Sequence, residues 1–351
     1  MHIAEPLGHV ERIERLWNAA RSGRLPHALL FEGPEGIGKY LAACWFAAGL
    51  LCAEHRRSPG PPCRRCGPCK RVVSDNHPDL FAIDPDSEGA ERILIERIAL
   101  RADGDPERCL ESFLDLRAME GGSRAVLLRS AHLMNDNAQG ALLKTLEEPR
   151  PGTVLVLETH LPARLLATIR SRCVPVRFDA LGPQDCERAL AGAGLGSAAG
   201  DLARWTEGSP GRAVAWHARN APALLQLLSA CFAGGRPALA IAAATWEVEG
   251  QFPGTKPSVQ ARERARFVLD LALLLLRDAL RFDSGVPAAS LALGAFVEPC
   301  SGRGTRELRR ALDAVLVCRG DVDRNLTPEA VVERALLAWE EPGRIVEPRR
   351  S

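Results

Sequence analysis

One stretch, Leu29-Leu30-Phe31-Glu32-Gly33-Pro34-Glu35-Gly36-Ile37-Gly38-Lys39-Tyr40, restricts the folds open to this chain more than any other. The apolar run Ala28 to Phe31 predicts a buried strand, the glycines a tight turn, and the apolar Leu41 to Ala48 a helix. Strand, glycine-rich loop and helix in that order make a phosphate loop. Gly33, Gly38 and Lys39 satisfy G-x-x-x-x-G-K-[ST] at every fixed position but the last. Together with Gly36, the glycines let backbone N–H groups turn toward phosphate oxygens at a helix N-terminus, where Lys39 adds a point charge. Gly33, Gly36, Gly38 and Lys39 are thus the candidate contacts for ATP or ADP, in a loop that either still binds nucleotide or has given it up.

The fixed position that fails is the small hydroxyl that would hold Mg²⁺. Tyr40, the only tyrosine of the chain, stands there, and its phenol lies too far from its own backbone for that task. A second element of metal handling is missing independently. In a phosphate-loop ATPase the strand predicted at Ala125–Leu128 ends in a carboxylate for Mg²⁺, with a glutamate after it to orient water. Here that strand ends Arg129-Ser130-Ala131-His132, and the next acid along the chain is Asp136, beyond Leu133-Met134. Asp84, after another predicted strand, is the alternative source of an acid. The expectation is a phosphate loop without bound Mg²⁺.

Cys52, Cys63, Cys66 and Cys69 follow the loop helix at spacing C-x10-C-x2-C-x2-C. The intervening residues are rich in Pro, Gly and Arg and cannot build a core. Four thiolates around a tetrahedral Zn²⁺ close such a segment, and four protein ligands leave no open position, so the zinc is expected to be structural. Arg56, Arg57, Arg64, Arg65, Lys70 and Arg71 offset the negative charge of that centre.

The remaining pattern is α/β up to Phe178: helix Val10–Ser22, a turn into a buried strand over His77–Asp84, strands at Ala125–Leu128, Thr153–Leu157 and Val174–Phe178, and helices at Pro106–Met119 and Asn137–Glu148. Strands alternating with helices predict a parallel sheet covered on both faces. His27, entering the first strand, reads as a packed residue. Strand signals stop at Leu181, and Pro183, Pro210, Ala221–Ala244, Val259–Leu280, Thr305–Val317 and Pro328–Trp339 mark an all-α remainder. The expected domains are residues 1–180 with a zinc module at about 52–70, a helical lid at 181–219, a helical oligomerisation domain at 220–345, and a loose tail at 346–351.

At 351 residues, net charge +1, 25% charged and 46% hydrophobic, the composition is that of an ordinary globular protein with two or three domains. It announces neither a nucleic-acid footprint nor a membrane span, and eleven cysteines without an export signal are expected as thiols or metal ligands in the cytoplasm.

Five separated motifs share one order: Leu25-Pro26-His27-Ala28-Leu29-Leu30-Phe31, the four cysteines, His77-Pro78-Asp79, Ala141-Leu142-Leu143-Lys144-Thr145-Leu146-Glu147-Glu148-Pro149, and Thr168-Ile169-Arg170-Ser171-Arg172-Cys173. Over residues 8 to about 215 the chain resembles bacterial clamp-loader AAA+ subunits of DNA polymerase III. It is most similar to their delta-prime branch, because the gamma/tau motor keeps the Ser/Thr and the acids that Tyr40, Arg129 and Ser130 replace. Gly211 stands where the motor has a lid arginine, with Arg212 one position later. The resemblance implies an AAA+ domain, a lid and a collar domain for ring assembly. It also implies gamma/tau-type and delta-type partner subunits, a sliding clamp, and primer–template DNA met through the assembled complex. Ser171-Arg172-Cys173 would carry a trans-acting arginine, Arg172, for ATP bound by a neighbour, in a subunit without turnover of its own. The alternatives are an active ATPase motor of the same family and a zinc-dependent DNA-binding protein with a vestigial loop. Near-zero net charge speaks against the second.

Overall fold

Apolar runs bounded by turn residues become five parallel strands: β1 (Ala28–Glu32), β2 (Leu80–Ile83), β3 (Arg124–Leu128), β4 (Thr153–Thr159) and β5 (Val174–Arg177). Their order is β2-β3-β4-β1-β5, which sets β1 between β4 and β5. β3 is buried at every position, as expected of a strand covered on both faces. This computed structural model describes residues 3–55, 58–88, 90–101, 105–120, 122–254, 256–297, 304–322, 324 and 326–340. Arg56, Arg57 and the expected tail therefore lie outside the described residues, as do residues 341–345 of the expected C-terminal domain.

The helices that flank the sheet are α1 (Val10–Arg21), α2 (Lys39–Leu51), α3 (Gly67–Val73), α4 (Leu110–Asp115), α5 (Asp136–Glu147) and α6 (Ala167–Arg172). α2 is buried almost all round, with Ala42 to Leu51 enclosed, which is what an uninterrupted apolar sequence permits. The core under the other face joins Leu30, Val126, Leu128, Leu142, Leu155 and Ile169. Asn135 caps α5 by accepting from the Ala138 N–H at 2.8 Å. His27 is packed as the sequence suggests, its Nε2 3.1 Å from the Leu146 carbonyl oxygen at the end of α5.

Two helical expectations needed correction. The helix expected over Pro106–Met119 is only a 3-10 turn at Pro106–Arg108 followed by α4, and it ends at Asp115. The next backbone groups are committed elsewhere. Buried Asp79 accepts from the N–H of Met119 at 2.7 Å and of Glu120 at 2.6 Å. The Arg124 guanidinium donates to the carbonyls of Phe113, Leu114 and Leu116. The single pattern over Ala221–Ala244 is two helices, Ala221–Phe232 and Ala238–Glu247. Gly234, at φ +75°, and Pro237, which lacks an N–H, break it.

The chain divides into two compact units, Met1–Ala189 with Gly208–Gly211, and Leu190–Glu207 with Arg212–Ser351. The described part of the second unit is helical. Its longest helix, Pro257–Asp283, pairs Asp270 with Arg319 of the helix Thr305–Asp321 at 2.6 Å. It also buries Asp278, which accepts from the Leu293 N–H at 2.9 Å. Phe232 and Trp339 pack ring against ring at a tilt of 59°, 4.8 Å between centroids, in the core of this unit. Among the described residues no helix is long and apolar enough to cross a membrane.

Candidate nucleotide site, cysteine centre and outlying arginine

In a parallel α/β sheet, ligand-binding loops collect at the carboxyl ends of the strands. Beyond the end of β1, Gly33, Gly36 and Gly38 take φ of +150°, +74° and +91°, values that glycine adopts without strain. A Cβ on Gly33 would meet the Phe178 carbonyl oxygen at 2.2 Å, so no other residue fits there without moving the backbone. Lys39, at the first turn of α2, points back into the loop. Its Nζ donates to the Pro34 carbonyl at 2.6 Å and pairs with Glu158 Oε1 at 3.0 Å. The four residues that the sequence marks for nucleotide are thus brought together as one cradle.

Three further groups close around it. Ser209 Oγ donates to the Glu35 carbonyl at 2.6 Å, and the Gly211 N–H donates to the Gly36 carbonyl at 2.8 Å. A Cβ on Gly211 would stand 2.9 Å from Gly36 Cα and O. A side chain at 211, an arginine included, would therefore displace the loop. Arg212 stacks over the Trp216 ring within the second unit. Beside Lys39, His132 Nδ1 lies 3.1 Å from Thr159 Oγ1, with the His160 ring edge-on at 4.3 Å. Burial, and then the proximity of His160, hold His132 down to about 4, so that it is neutral at neutral pH. A cleft of about 540 Å³ adjoins the loop between Gly8–Arg15 and Asp179–Asp185. His9 Nε2 in its wall is 2.9 Å from the Ile37 carbonyl. The cleft has the size of a small-molecule site, and no motif in the sequence marks it.

The metal-handling corner is filled by a different constellation. Asp84, the alternative acid, receives Arg129 Nη1 on both carboxylate oxygens at 3.1 Å. The Arg129 guanidinium in turn lies over the Tyr40 ring, 5.1 Å from its centroid. Burial pushes the Tyr40 phenol well above its ordinary range, so it stays protonated. The acid that reaches Lys39 is Glu158, at the end of β4, which sequence reasoning missed. Its neighbourhood depends on register, because Glu158 pairs with Phe31 of β1.

Cys52, Cys63, Cys66 and Cys69 bring their four sulfurs within 4.8 Å of one another, and Cys52 and Cys66 are 3.9 Å apart. Four sulfurs about 2.3 Å from a tetrahedral zinc are about 3.8 Å from each other, so the set fits the ion. The Cys66 N–H points at Cys63 Sγ and the Cys69 N–H at Cys66 Sγ, both at 3.4 Å, in the manner of bonds that support metal thiolates. Arg64 takes φ +60° in the turn between Cys63 and Cys66 and stacks on Trp45 of α2. Although burial opposes it, N–H groups of Cys69 and Ala53 draw the Cys66 thiol down to about 7. The described cysteines form no disulfide. A closed Cys₄ centre for a structural metal such as zinc is what these residues make.

Arg172 is not part of either site. It ends α6, just before Val174, which pairs with Leu29 near the start of β1. It therefore lies at the amino edge of the sheet, whereas Lys39 lies past the carboxyl edge, about 15 Å away along strands that rise about 3.3 Å per residue. Its Nη1 donates to the Thr168 carbonyl at 3.0 Å.

The strand order, the glycine cradle with its lysine, and the inserted cysteine cluster together define an AAA+-type phosphate-loop fold. A family model described as "DNA polymerase III, delta subunit" matches residues 8–182. The "DNA polymerase III subunit delta'" of Pseudomonas aeruginosa is 43% identical over 148 residues, 42% of each chain. That of Bacillus subtilis is 37% identical over 175 residues, 50% of this chain and 49% of the relative. The "DNA polymerase III subunit tau/gamma" of Haemophilus influenzae is 32% identical over 189 residues, 54% of this chain and 25% of the relative. The chain belongs to this DNA polymerase III family, and its relatives at 43% and 37% identity are delta' subunits. It spans at most about half the length of these curated relatives.

Proposed function

We propose that this chain is a non-hydrolysing stator of a bacterial clamp loader in the cytoplasm. It would join gamma/tau-type and delta-type subunits, help place the sliding clamp on primer–template DNA, and contribute Arg172 to ATP held by a neighbour. The carrying observation is a division of labour across one sheet. At the carboxyl edge Lys39 is paired with Glu158, and Asp84 with Arg129, so the acids that could handle Mg²⁺ already hold cations of the chain itself. At the amino edge Arg172 stands too far away to serve its own loop. An arginine supplied in trans neutralises charge growing on phosphoryl oxygens, worth about 10³–10⁵ in rate in phosphate-loop systems. Residues 1–180 would form the AAA+ domain, 181–219 the lid and 220–345 the collar that assembles the ring.

The four cysteines would hold a structural Zn²⁺, which ties the segment after α2 to α3 and supplies no reactive position. ADP or ATP, if taken up, would place phosphates on Gly33, Gly36, Gly38 and Lys39 and the base toward His9 and the adjoining cleft. Steady-state ATP hydrolysis by the purified chain, with Lys39→Ala as control, tests the reading. The expected result is no Lys39-dependent turnover. Turnover that Lys39→Ala abolishes would make the chain a motor and overturn the stator reading.

A further inference from the structure

The Lys39–Glu158 pair is more enclosed than a surface ion pair, with the lysine side chain 2% and the glutamate side chain 10% exposed. The carboxylate is held at both ends. Oε1 meets Lys39 at 3.0 Å, and Oε2 accepts from the Ser130 N–H at 3.0 Å. An ammonium has three donors, and here the Pro34 carbonyl and Glu158 take two of them. The charge that a phosphate loop keeps for its ligand is therefore already neutralised by an acid from β4. A phosphate oxygen on Lys39 would also come close to the Glu158 carboxylate, and like charges in so dry a site repel strongly.

We infer that Glu158 is a built-in anion of the phosphate loop, so that a nucleotide polyphosphate reaches Lys39 only in competition with this carboxylate. Ser130 and the pairing of β4 with β1 hold the carboxylate in position, and Glu158 thereby sets how tightly the loop takes a nucleoside diphosphate. This deepens the stator reading of the same loop and rests on Gly33–Lys39 being phosphate-binding. ATP turnover tests that reading, whereas metal-free ADP affinity tests this one.

The experiment is calorimetric titration of the full chain with ADP in magnesium-free buffer without chelator, which leaves the cysteine centre untouched. Glu158→Gln keeps the volume and an acceptor for Ser130 but removes the charge, and ADP should bind at least about tenfold tighter than to wild type, a change of about 1.4 kcal/mol. Glu158→Asp keeps the charge one methylene further from Lys39 and should tighten binding less. Lys39→Ala in the Glu158→Gln background should remove the gain. Equal or weaker ADP binding in both Glu158 variants, or a gain that survives loss of Lys39, overturns the inference. If Glu158→Gln does not fold because it strands a buried lysine, Glu158→Asp decides alone, and affinity no tighter than wild type overturns it.

Discussion

Arg172 Nη2 lies 2.7 Å from Glu147 Oε1, joining the end of α6 to the end of α5 at the amino edge of the sheet. The pair is half exposed, so its net worth to folding is about 0–1 kcal/mol. Nη1 on the Thr168 carbonyl and Nη2 on Glu147 give the guanidinium two anchors on its own chain.

Arg172→Ala is expected to leave folding and ring assembly intact and to impair DNA-stimulated ATP hydrolysis by the reconstituted loader. At a neighbour's site that this arginine would complete, the loss should approach about 10³-fold. Single-turnover hydrolysis by the assembled loader is the measurement. A rate equal to wild type would sink the trans assignment.

Zinc should co-purify at one ion per chain, as metal analysis would read it. Cys66→Ser is expected to lose that ion and to destabilise the chain by several kcal/mol, since a site that exists only in the folded state lends its binding energy to folding. A lowered thermal midpoint with the sheet's circular-dichroism signal kept at low temperature is the expected pair of readings. A metal-free wild-type chain that melts at the same temperature as the loaded one would remove the structural role.

Acid should weaken the first unit through His132. Its folded pKa, lowered by burial and by His160 to about 4, lies below the ordinary 6.5 that it regains on unfolding. Between those values the unfolded chain binds the extra proton. The contribution to stability is thus complete above about pH 6.5 and lost as pH falls through about 4, on the order of 3 kcal/mol in all. His9, His77 and His160 are lowered as well and add in the same direction. Urea midpoints between pH 7 and pH 4.5 should fall less steeply for His132→Gln than for wild type, and parallel slopes would refute the assignment.

Local chemistry made much of this architecture legible. A glycine-lysine loop between apolar runs, and four cysteines within eighteen residues too polar to pack, each carry their meaning within a short window. Strand β2 falls inside the stretch His77–Asp84 that the sequence marks, because an apolar run follows a proline turn there, although only Phe81 and Ile83 of it are buried. What stayed hidden depends on partners far along the chain. Glu158 reads as an acid closing an apolar strand until β1 and β4 are set in register. Asp79 reads as the end of a turn, yet its carboxylate is what pulls Met119 and Glu120 out of a helix. Gly211 looks like a missing side chain, whereas its contact with Gly36 leaves no room for one.

α2 begins with Lys39 and passes at its far end into Cys52. Its thirteen residues make a rod of about 20 Å at 1.5 Å per residue. The glycine loop with its lysine and the first thiol of the cysteine cluster are therefore the two ends of a single helix buried in the core. Two features a whole helix apart in the sequence thus terminate one buried rod, about 20 Å from end to end.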